Sequence, residues 1–446
     1  MAEHPGMRTI RRGAGGPARI DCDVCVVGSG AAGLSAALEA QALGKDAVLV
    51  DGAPQIGGQA VNSFIGTICG LYSNGPDPYR VTYGVMDGLL SDLFSAGAAN
   101  ARRARNTTIV DYSANAWMRW AERQVAEREI TPLLGAVLRD VAREGERIVE
   151  LSLATRWGDY AIRPRYVIDA SGDAVVPWLA GLPLHEADQE IYGTVMAVFE
   201  NVDVAVSDTI PRGDYHEAMR RRGAEFGLIR FDGFIFSMAE EGKVLLNQTH
   251  IPTPQDAVGI NRAMFEGRRQ VDGLLALFRE EFPRAFANAR VATYGQTGIR
   301  QTRTITGQSR ITVEDVRDGV RPDDAIGRCS WPIELHTRVE DTSWEIFGET
   351  HMHYMPYGAM VPQGMDNLVV AGRCIDAEPA ALASVRVMGP CFSMGRAAAA
   401  AVDLVDGGSL RQIDISALQA TLDDNLEARR KDPWLRDIRE EASARG

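Results

Sequence analysis

The stretch that decides the fold reads Val24-Cys25-Val26-Val27-Gly28-Ser29-Gly30-Ala31-Ala32-Gly33. Four apolar residues typical of a buried strand lead into three closely spaced glycines, and a run rich in alanine and leucine follows as far as Leu43. A second apolar run, at 47–50, ends at Asp51. This order of strand, glycine turn, helix and strand predicts a βαβ unit of the dinucleotide-binding Rossmann type.

Each glycine of this turn has its own physical role. Gly28 permits the sharp turn, and Gly30 lets the backbone approach a pyrophosphate without an intervening Cβ. Gly33 lets the helix pack closely on the strand. The helix N-terminus offers free N–H groups to the phosphates. Asp51 lies 18 residues after Gly33, where its carboxylate can accept the ribose hydroxyls. This unit alone is compatible with NAD or FAD.

Two later strands narrow the choice of cofactor. Residues 166–170 form a β-rich run that ends in Ser171-Gly172-Asp173, and residues 367–371 form another that ends in Gly372-Arg373. Small residues at strand ends let the chain pass close over a cofactor. A helix that begins near Met388 would direct its N–H groups at the pyrimidine edge of a flavin, where reduction places negative charge. Because no second strand–glycine–helix unit occurs, the three segments together predict FAD.

The bulk composition excludes several classes of partner. The formal net charge of -13 would repel nucleic acid. No apolar stretch reaches the ~18 residues that a membrane-spanning helix needs. The first strand is not preceded by a signal-peptide pattern, so we expect a cytoplasmic protein whose six cysteines are free thiols.

The order of the segments predicts an α/β protein with a discontinuous nucleotide domain. The Rossmann-type FAD-binding domain would be built from residues 21–184 and 361–408. We expect residues 185–360 to form an inserted α+β substrate domain with a mixed or antiparallel sheet. Residues 1–20 are predicted to be a disordered tail, and residues 409–446 to form charged terminal helices.

Several further motifs support a family resemblance. They are Gly57-Gly58-Gln59-Ala60, Ile168–Asp173, Gly298–Arg303, Ser330–Ile333, Tyr354–Tyr357, Asn367–Cys374 and Ser384–Met388. With the N-terminal unit, they make the chain resemble the FAD-dependent oxidoreductase family of the glutathione-reductase-type superfamily, which is distantly related to fumarate-reductase flavoproteins. The resemblance covers roughly residues 22–405.

The resemblance implies a two-domain flavoprotein with the isoalloxazine ring at the domain junction. It implies FAD contacts from the 57–60 loop, Asp173, Arg373 and the 386–391 helix start. Gly358 stands where family members often have arginine, so the anion-binding role of that arginine has no counterpart here. Four closely spaced cysteines are absent from the sequence, so we expect no iron–sulfur cluster and no other metal.

The residues expected at the cofactor come from these segments. They are Gly28, Gly30, Ala31, Ala32, Gly33, Asp51, Gly52, Gly58, Gln59, Ala170, Gly172, Asp173, Gly372, Arg373, Arg386, Met388, Gly389 and Cys391. Cys69, in the loop expected to cover the flavin, has two interpretations: a redox-active or flavin-linked thiol, or a small buried side chain.

The candidates for chemistry lie in the segment predicted to be inserted. Arg300 and Arg303 could clamp a carboxylate, contact the flavin or form salt bridges between domains. His353 could act as a base and Tyr357 as a donor, or both could fill an aromatic interface. Glu334, with the nearby His336, could face either solvent or the pocket.

These features predict an oxidoreductase, either a dehydrogenase or an oxidase, that takes a hydride from a small organic metabolite onto flavin N5. Oxygen or a redox protein would then reoxidise the flavin. One alternative is a flavin monooxygenase that binds NAD(P)H transiently. Another is a non-catalytic binding protein stabilised by FAD. The charged C-terminal region could support a homo-oligomer.

Overall fold

The computed structural model describes residues 16–238 and 242–438. Most of the tail predicted at 1–20 lies outside this range. The first strand begins at Ala18, so it starts inside the segment predicted to be disordered. Within the described residues, no helix has both the length and the apolar character needed to cross a membrane.

The strands are numbered in chain order. They are β1 (Ala18–Val27), β2 (Ala47–Asp51), β3 (Thr67–Ile68), β4 (Ala99–Ala104), β5 (Thr107–Tyr112), β6 (Thr131–Leu134), β7 (Val137–Glu144), β8 (Arg147–Thr155), β9 (Gly158–Asp169), β10 (Leu184–Glu186), β11 (Thr194–Glu200), β12 (Phe234–Ser237), β13 (Val244–Asn247), β14 (Arg290–Gly298), β15 (Arg303–Ile305), β16 (Ala325–Cys329), β17 (Ile333–Leu335), β18 (Ser343–Glu345), β19 (His353–Pro356) and β20 (Leu368–Val370).

The α-helices follow the same order. They are α1 (Ala31–Ala42), α2 (Gly58–Asn62), α3 (Val85–Ser95), α4 (Ala114–Glu127), α5 (Val175–Leu179), α6 (Val204–Ser207), α7 (Arg212–Arg222), α8 (Ala257–Glu281), α9 (Pro283–Phe286), α10 (Val313–Asp318), α11 (Pro379–Val385), α12 (Met388–Val405), α13 (Ile415–Thr421) and α14 (Asp423–Glu427). The predicted terminal helices thus correspond to short elements, and residues 439–446 lie outside the described range.

The main sheet has the strand order β6-β2-β1-β9-β8-β7, and β20 also pairs with β9. Strands β6, β2, β1, β9 and β20 are parallel, whereas β7, β8 and β9 form an antiparallel meander. Alternate residues of β1 enter two cores: Val24 and Val26 pack on the side of α1 and α12, and Cys25 and Val27 on the other side. This burial of both faces explains the uninterrupted apolar runs in the sequence. The predicted α/β class is confirmed.

Two strands, β8 and β20, pair with the same edge of β9. Its first half pairs with β8, and its last residues pair with β20. Asn367 lies at the fork, where its side chain accepts a hydrogen bond from the N–H of Ile148 (2.8 Å) and donates to the carbonyls of Ile148 (2.9 Å) and Arg165 (3.0 Å). A strand from late in the sequence thereby joins the sheet begun near the N-terminus.

The second sheet is antiparallel, with the order β12-β13-β11-β14. The 25-residue helix α8 covers it, and Leu274 and Phe278 pack against Val195 and Phe199 in a separate core. This core uses residues 195–289. Strands β16 and β19, at the end of the segment predicted as the substrate domain, contribute instead to the larger core beneath α12.

Helices α1 and α12 pack closely because their contact residues are small. A Cβ added at Gly395 would lie 2.2 Å from the carbonyl oxygen of Ala32, and Ser35 Oγ donates to the carbonyl of Phe392 (2.9 Å). The N-termini of both helices therefore reach the edge of the sheet at which β1, β2, β9 and β20 end. In a parallel sheet this edge is where ligands bind.

Candidate functional site

A cavity of about 470 Å³ opens at this edge, which is within the usual size range for a small-molecule site. All the residues predicted at the cofactor line it except Gly33, Gly52 and Gly389. One wall comes from the strand ends and the helix starts of the main sheet. The facing wall comes from the second sheet and from the segment around Trp331.

The glycine turn is open toward the cavity. Gly28 adopts a φ of 103°, a conformation that favours glycine. A Cβ at Gly30 would meet only the Cα of Gly58, at 3.9 Å, so the backbone is accessible at this point. In the described part of the chain, no side chain caps the first turn of α1 and no acidic residue lies within it. The N–H groups of that turn are consequently available to a phosphate.

Asp51 is held in place at the end of β2. Its carboxylate accepts hydrogen bonds from the N–H (2.7 Å) and hydroxyl (2.6 Å) of Ser29 and from the N–H of Ala53 (2.8 Å). Because a carboxylate has about four acceptor positions, it can also accept a ribose hydroxyl from the cavity.

Three of the predicted cofactor residues do not line the cavity. Gly33 packs against the turn: a Cβ there would lie 1.8 Å from the carbonyl oxygen of Gly28. Gly389 packs against the 69–71 loop, with its Cβ position 2.2 Å from the carbonyl oxygen of Gly70. Gly52 meets no described atom within 4 Å of its Cβ position. Gly33 and Gly389 therefore shape the site through packing rather than contact.

Polar groups cluster where β9 and β20 end. Arg373 donates to the carbonyl of Ile299 (2.9 Å) and pairs with Asp173 (3.3 Å), which also accepts from the hydroxyl of Thr302 (2.8 Å). At the start of α12, Arg386 has a buried Nε for which the described residues provide no hydrogen-bond partner. Such an orphaned donor at the cavity wall fits a site built for a polar group that enters the cavity.

Arg300 is the predicted catalytic candidate that lines the cavity. Its guanidinium is buried, and it donates to the carbonyl of Tyr192 (2.6 Å). Burial lowers the pKa of Arg300, and the neighbouring charges of Arg230 and Arg386 lower it further. A buried cation among other cations is a good receptor for an anionic group.

The structure places His353 outside the cavity. Its ring is buried between Ser384 Oγ (3.0 Å from Nε2) and His351 (3.2 Å from Nδ1), and burial lowers the pKa of His353 to about 3. The predicted position of His353 across the flavin is therefore wrong. Its neutral ring is part of the core.

Tyr357 and Arg303 also lie away from the cavity. The hydroxyl of Tyr357 donates to the carbonyl of Leu410 (3.0 Å) within the core, where burial raises the pKa of this tyrosine. The guanidinium of Arg303 stacks on the ring of Trp178, 4.4 Å from its centroid. Both predicted positions need correction, because these polar groups complete core and surface packing.

An aromatic wall of the cavity was not predicted from the sequence. Phe234, Phe236, Trp331 and Trp344 line the cavity, with the two phenylalanine rings stacked at 5.9 Å. Arg102, Arg105 and Arg212 also line the cavity and stack on Phe236, Trp344 and Phe234, at 4.7, 4.8 and 4.7 Å. The alternation of Phe234 and Phe236 along β12 was a signal of one shared face.

Two observations concern sulfur and metal chemistry at the cavity. Cys69 lines the cavity, and burial raises the pKa of its thiol to about 12, so it is protonated at neutral pH. No group of three metal-ligating side chains is placed to hold an ion within residues 16–238 and 242–438.

A known protein family matches most of the chain. The model of the family described as FAD dependent oxidoreductase matches residues 23–422. No curated protein matches the chain.

Many solved structures resemble the chain at low identity. One is a geranylgeranyl bacteriochlorophyll reductase-like protein from Thermoplasma acidophilum, with 14% identity over 86% of this chain and 78% of that one, and a TM-score of 0.47. A triple mutant of a flavin-dependent brominase has 15% identity over 90% and 84%, and a TM-score of 0.46. An anhydrotetracycline hydroxylase from Streptomyces rimosus has 12% identity over 91% and 66%, and a TM-score of 0.46. These likenesses say nothing about the reaction.

Proposed function

Because this chain belongs to the FAD-dependent oxidoreductase family, we propose that it oxidises a small organic metabolite carrying an anionic group such as a carboxylate. FAD, its cofactor, supplies the hydride acceptor when bound. The chain would hold it through the open turn at Gly28 and Gly30, Asp51, Arg373 and the start of α12. Membership of the wider glutathione-reductase-type superfamily is part of this proposal.

The observation that carries the proposal is the charge balance around Arg300. Arg230 is paired with Asp232 (2.7 Å) and Arg373 with Asp173 (3.3 Å). Among the described residues, no carboxylate oxygen lies within 4 Å of the guanidinium nitrogens of Arg300 or Arg386, although both line the cavity. A substrate carboxylate would supply the close ion pair that both guanidinium groups lack, in addition to the more distant charges of Glu334 and Asp232.

The chain's other contribution is to orient the substrate and exclude water. The rings of Phe234, Trp331 and Trp344 line the cavity together with the polar strand ends, and Arg212 and Arg105 stack on the rings of Phe234 and Trp344. A planar substrate that stacks on these rings would present its anionic end to Arg300 and its reacting carbon to the cofactor. Positioning of this kind removes much of the entropic barrier to reaction.

The test is anaerobic stopped-flow reduction of bound FAD by a panel of 2-hydroxy, 2-amino and aromatic carboxylic acids. Each acid is compared with its uncharged amide, and NADH and NADPH are included. We expect a subset of the acids to reduce the flavin and their amides to fail. Arg300→Met should weaken the acid's binding by about 2 kcal/mol or more, which is at least about thirtyfold. Arg290→Met is the matched control, because Arg290 is exposed at the far end of β14 and pairs with Glu200.

The outcomes separate the rival reactions. Oxygen consumption driven by NADPH and stimulated by an aromatic substrate would replace the proposal with a monooxygenase. Reduction by amides as readily as by acids would remove the role of Arg300. After reduction, mixing with oxygen or with a redox protein identifies the acceptor.

A further inference from the structure

A chain of three titratable side chains leads from the cavity wall into the core. Glu334 lines the cavity, and its Oε1 lies 3.1 Å from His336 Nε2. His336 Nδ1 lies 2.9 Å from His250 Nε2, and His250 Nδ1 lies 2.9 Å from the carbonyl oxygen of Val339. Both imidazoles are completely buried. The chain therefore has one end at the cavity and the other at a backbone acceptor.

The number of protons in this chain follows from its geometry. Three contacts of hydrogen-bond length each need one proton. The carbonyl of Val339 can only accept, so His250 must carry its proton on Nδ1, and Nε2 then accepts from Nδ1–H of His336. Two neutral imidazoles supply two protons, and the contact between His336 and Glu334 is left with two facing lone pairs. A third proton fills that contact.

The third proton lies between Glu334 Oε1 and His336 Nε2, the one contact that two neutral imidazoles leave without a proton. Burial lowers the pKa of His250 to about 2 and lowers that of His336 well below its usual value, so neither ring takes a second proton. A protonated carboxyl group that donates to His336 Nε2 satisfies every contact without a buried charge. Around Glu334 and His336, the charged and titratable groups are Arg230, Arg300, Arg386, Asp232, His250 and Cys69.

The surrounding residues hold the two rings in place. Tyr192 stacks on His250 with ring centroids 5.4 Å apart, and the side chain of Gln270 binds both the N–H and the carbonyl of His250. On the other side, the hydroxyl of Thr342 lies 3.3 Å from His336 Nδ1 and accepts a hydrogen bond from Arg230 (3.1 Å).

We propose that Glu334 is the catalytic acid–base residue of the cavity, and that His336 and His250 are positioning residues that hold its carboxyl group in place. The proposal rests on the proposed function. Once the third proton has left through the cavity to solvent, the Glu334 carboxylate would accept the proton of the O–H or N–H group next to the substrate C–H bond whose hydride passes to the cofactor, and a C=O or C=N bond would form. In the reverse direction Glu334 returns that proton.

The first experiment detects the proton without any substrate. Infrared spectra of the FAD-loaded protein should contain a carboxylic acid C=O band that Glu334→Gln removes. Glu345→Gln should leave it, because Glu345 lies on β18, opposite β17, and pairs with Arg317 at the surface. Nuclear magnetic resonance of ¹⁵N-histidine should show both His250 and His336 protonated on Nδ1. Protonation of His250 on Nε2, or a spectrum without the acid band, would overturn the proposal.

The second experiment measures the role of the proton. A glutamine amide can donate to His336 Nε2, so Glu334→Gln keeps every hydrogen bond of the chain and should fold and retain FAD. With a carboxylic acid that reduces the wild-type flavin, we expect the variant to react about 10² to 10⁴ times more slowly and to lose the pH dependence of that rate. An unchanged rate and pH profile would refute the catalytic role. If no acid reduces the wild-type flavin, the proposed function fails, while the proton count is still decided by the spectra.

Discussion

Gly33→Ala tests the physical basis of the nucleotide site. The added Cβ would lie 1.8 Å from the carbonyl oxygen of Gly28, 2.8 Å from its carbonyl carbon and 3.2 Å from the Cβ of Ala170. No rotamer relieves a clash with backbone, so α1 must move away from β1 until the first distance exceeds 3.0 Å. Overpacking costs about 3 kcal/mol, and alanine returns about 1 kcal/mol of helix propensity. We expect a net loss of about 2 kcal/mol or more, with displacement of the helix N-terminus from the cofactor.

The measurements are the FAD content of the purified variant, read from its absorption spectrum, and the free energy of unfolding in urea. Gly213→Ala is the matched control, because Gly213 lies in α7 and no described atom is within 4 Å of its Cβ position. The control should keep full FAD content and gain up to about 1 kcal/mol. A Gly33→Ala protein with full FAD content and unchanged stability would refute the packing role assigned to this glycine.

Two further predictions concern stability. Asn367→Ala should cost about 2–3 kcal/mol in urea unfolding, because it removes the side-chain partner of the buried backbone N–H and carbonyl of Ile148; a loss below about 0.5 kcal/mol would contradict the role of the fork. The folded pKa of His353, about 3, lies below the 6.5 of the unfolded chain, so the unfolded state binds the proton first and stability falls as the pH drops from 6.5 to 3. In His353→Gln this acid slope should become shallower by about 1.4 kcal/mol per pH unit, measured by denaturant unfolding between pH 6.5 and 4; an unchanged slope would contradict the assignment.

The parts of the fold that could be predicted from the sequence are those in which local pattern and tertiary role coincide. The strand at 24–27, the helix after Gly33 and the strand ending at Asp51 all occur in the predicted order. In α4 (Ala114–Glu127) the apolar positions recur at helical spacing, the pattern from which a helix is predicted. In each case the residues on one face of a short segment are enough to predict the element.

The substrate side of the site could not be predicted in this way. His353 and Tyr357 occur in an aromatic, histidine-containing strand that is equally suited to a core and to a pocket, and the structure places both in the core. The sequence allowed Glu334 to face either solvent or the pocket. Only the pairing of β17 with β18 directs its side chain to the cavity. The sequence shows these side-chain types but not the residues that they contact in the folded protein.

The sequence by itself determined the nucleotide end of this protein, because the glycine turn and Asp51 act through backbone geometry within some thirty residues of chain. Only the tertiary structure decided which groups face the substrate. Glu334, His336 and His250 form one chain although 86 residues separate the two histidines in sequence. Their contacts depend on how the segment after β13 packs against β17 and the residues that follow it. Spacing along the sequence carries no information on such contacts, since they are set by the packing of whole elements.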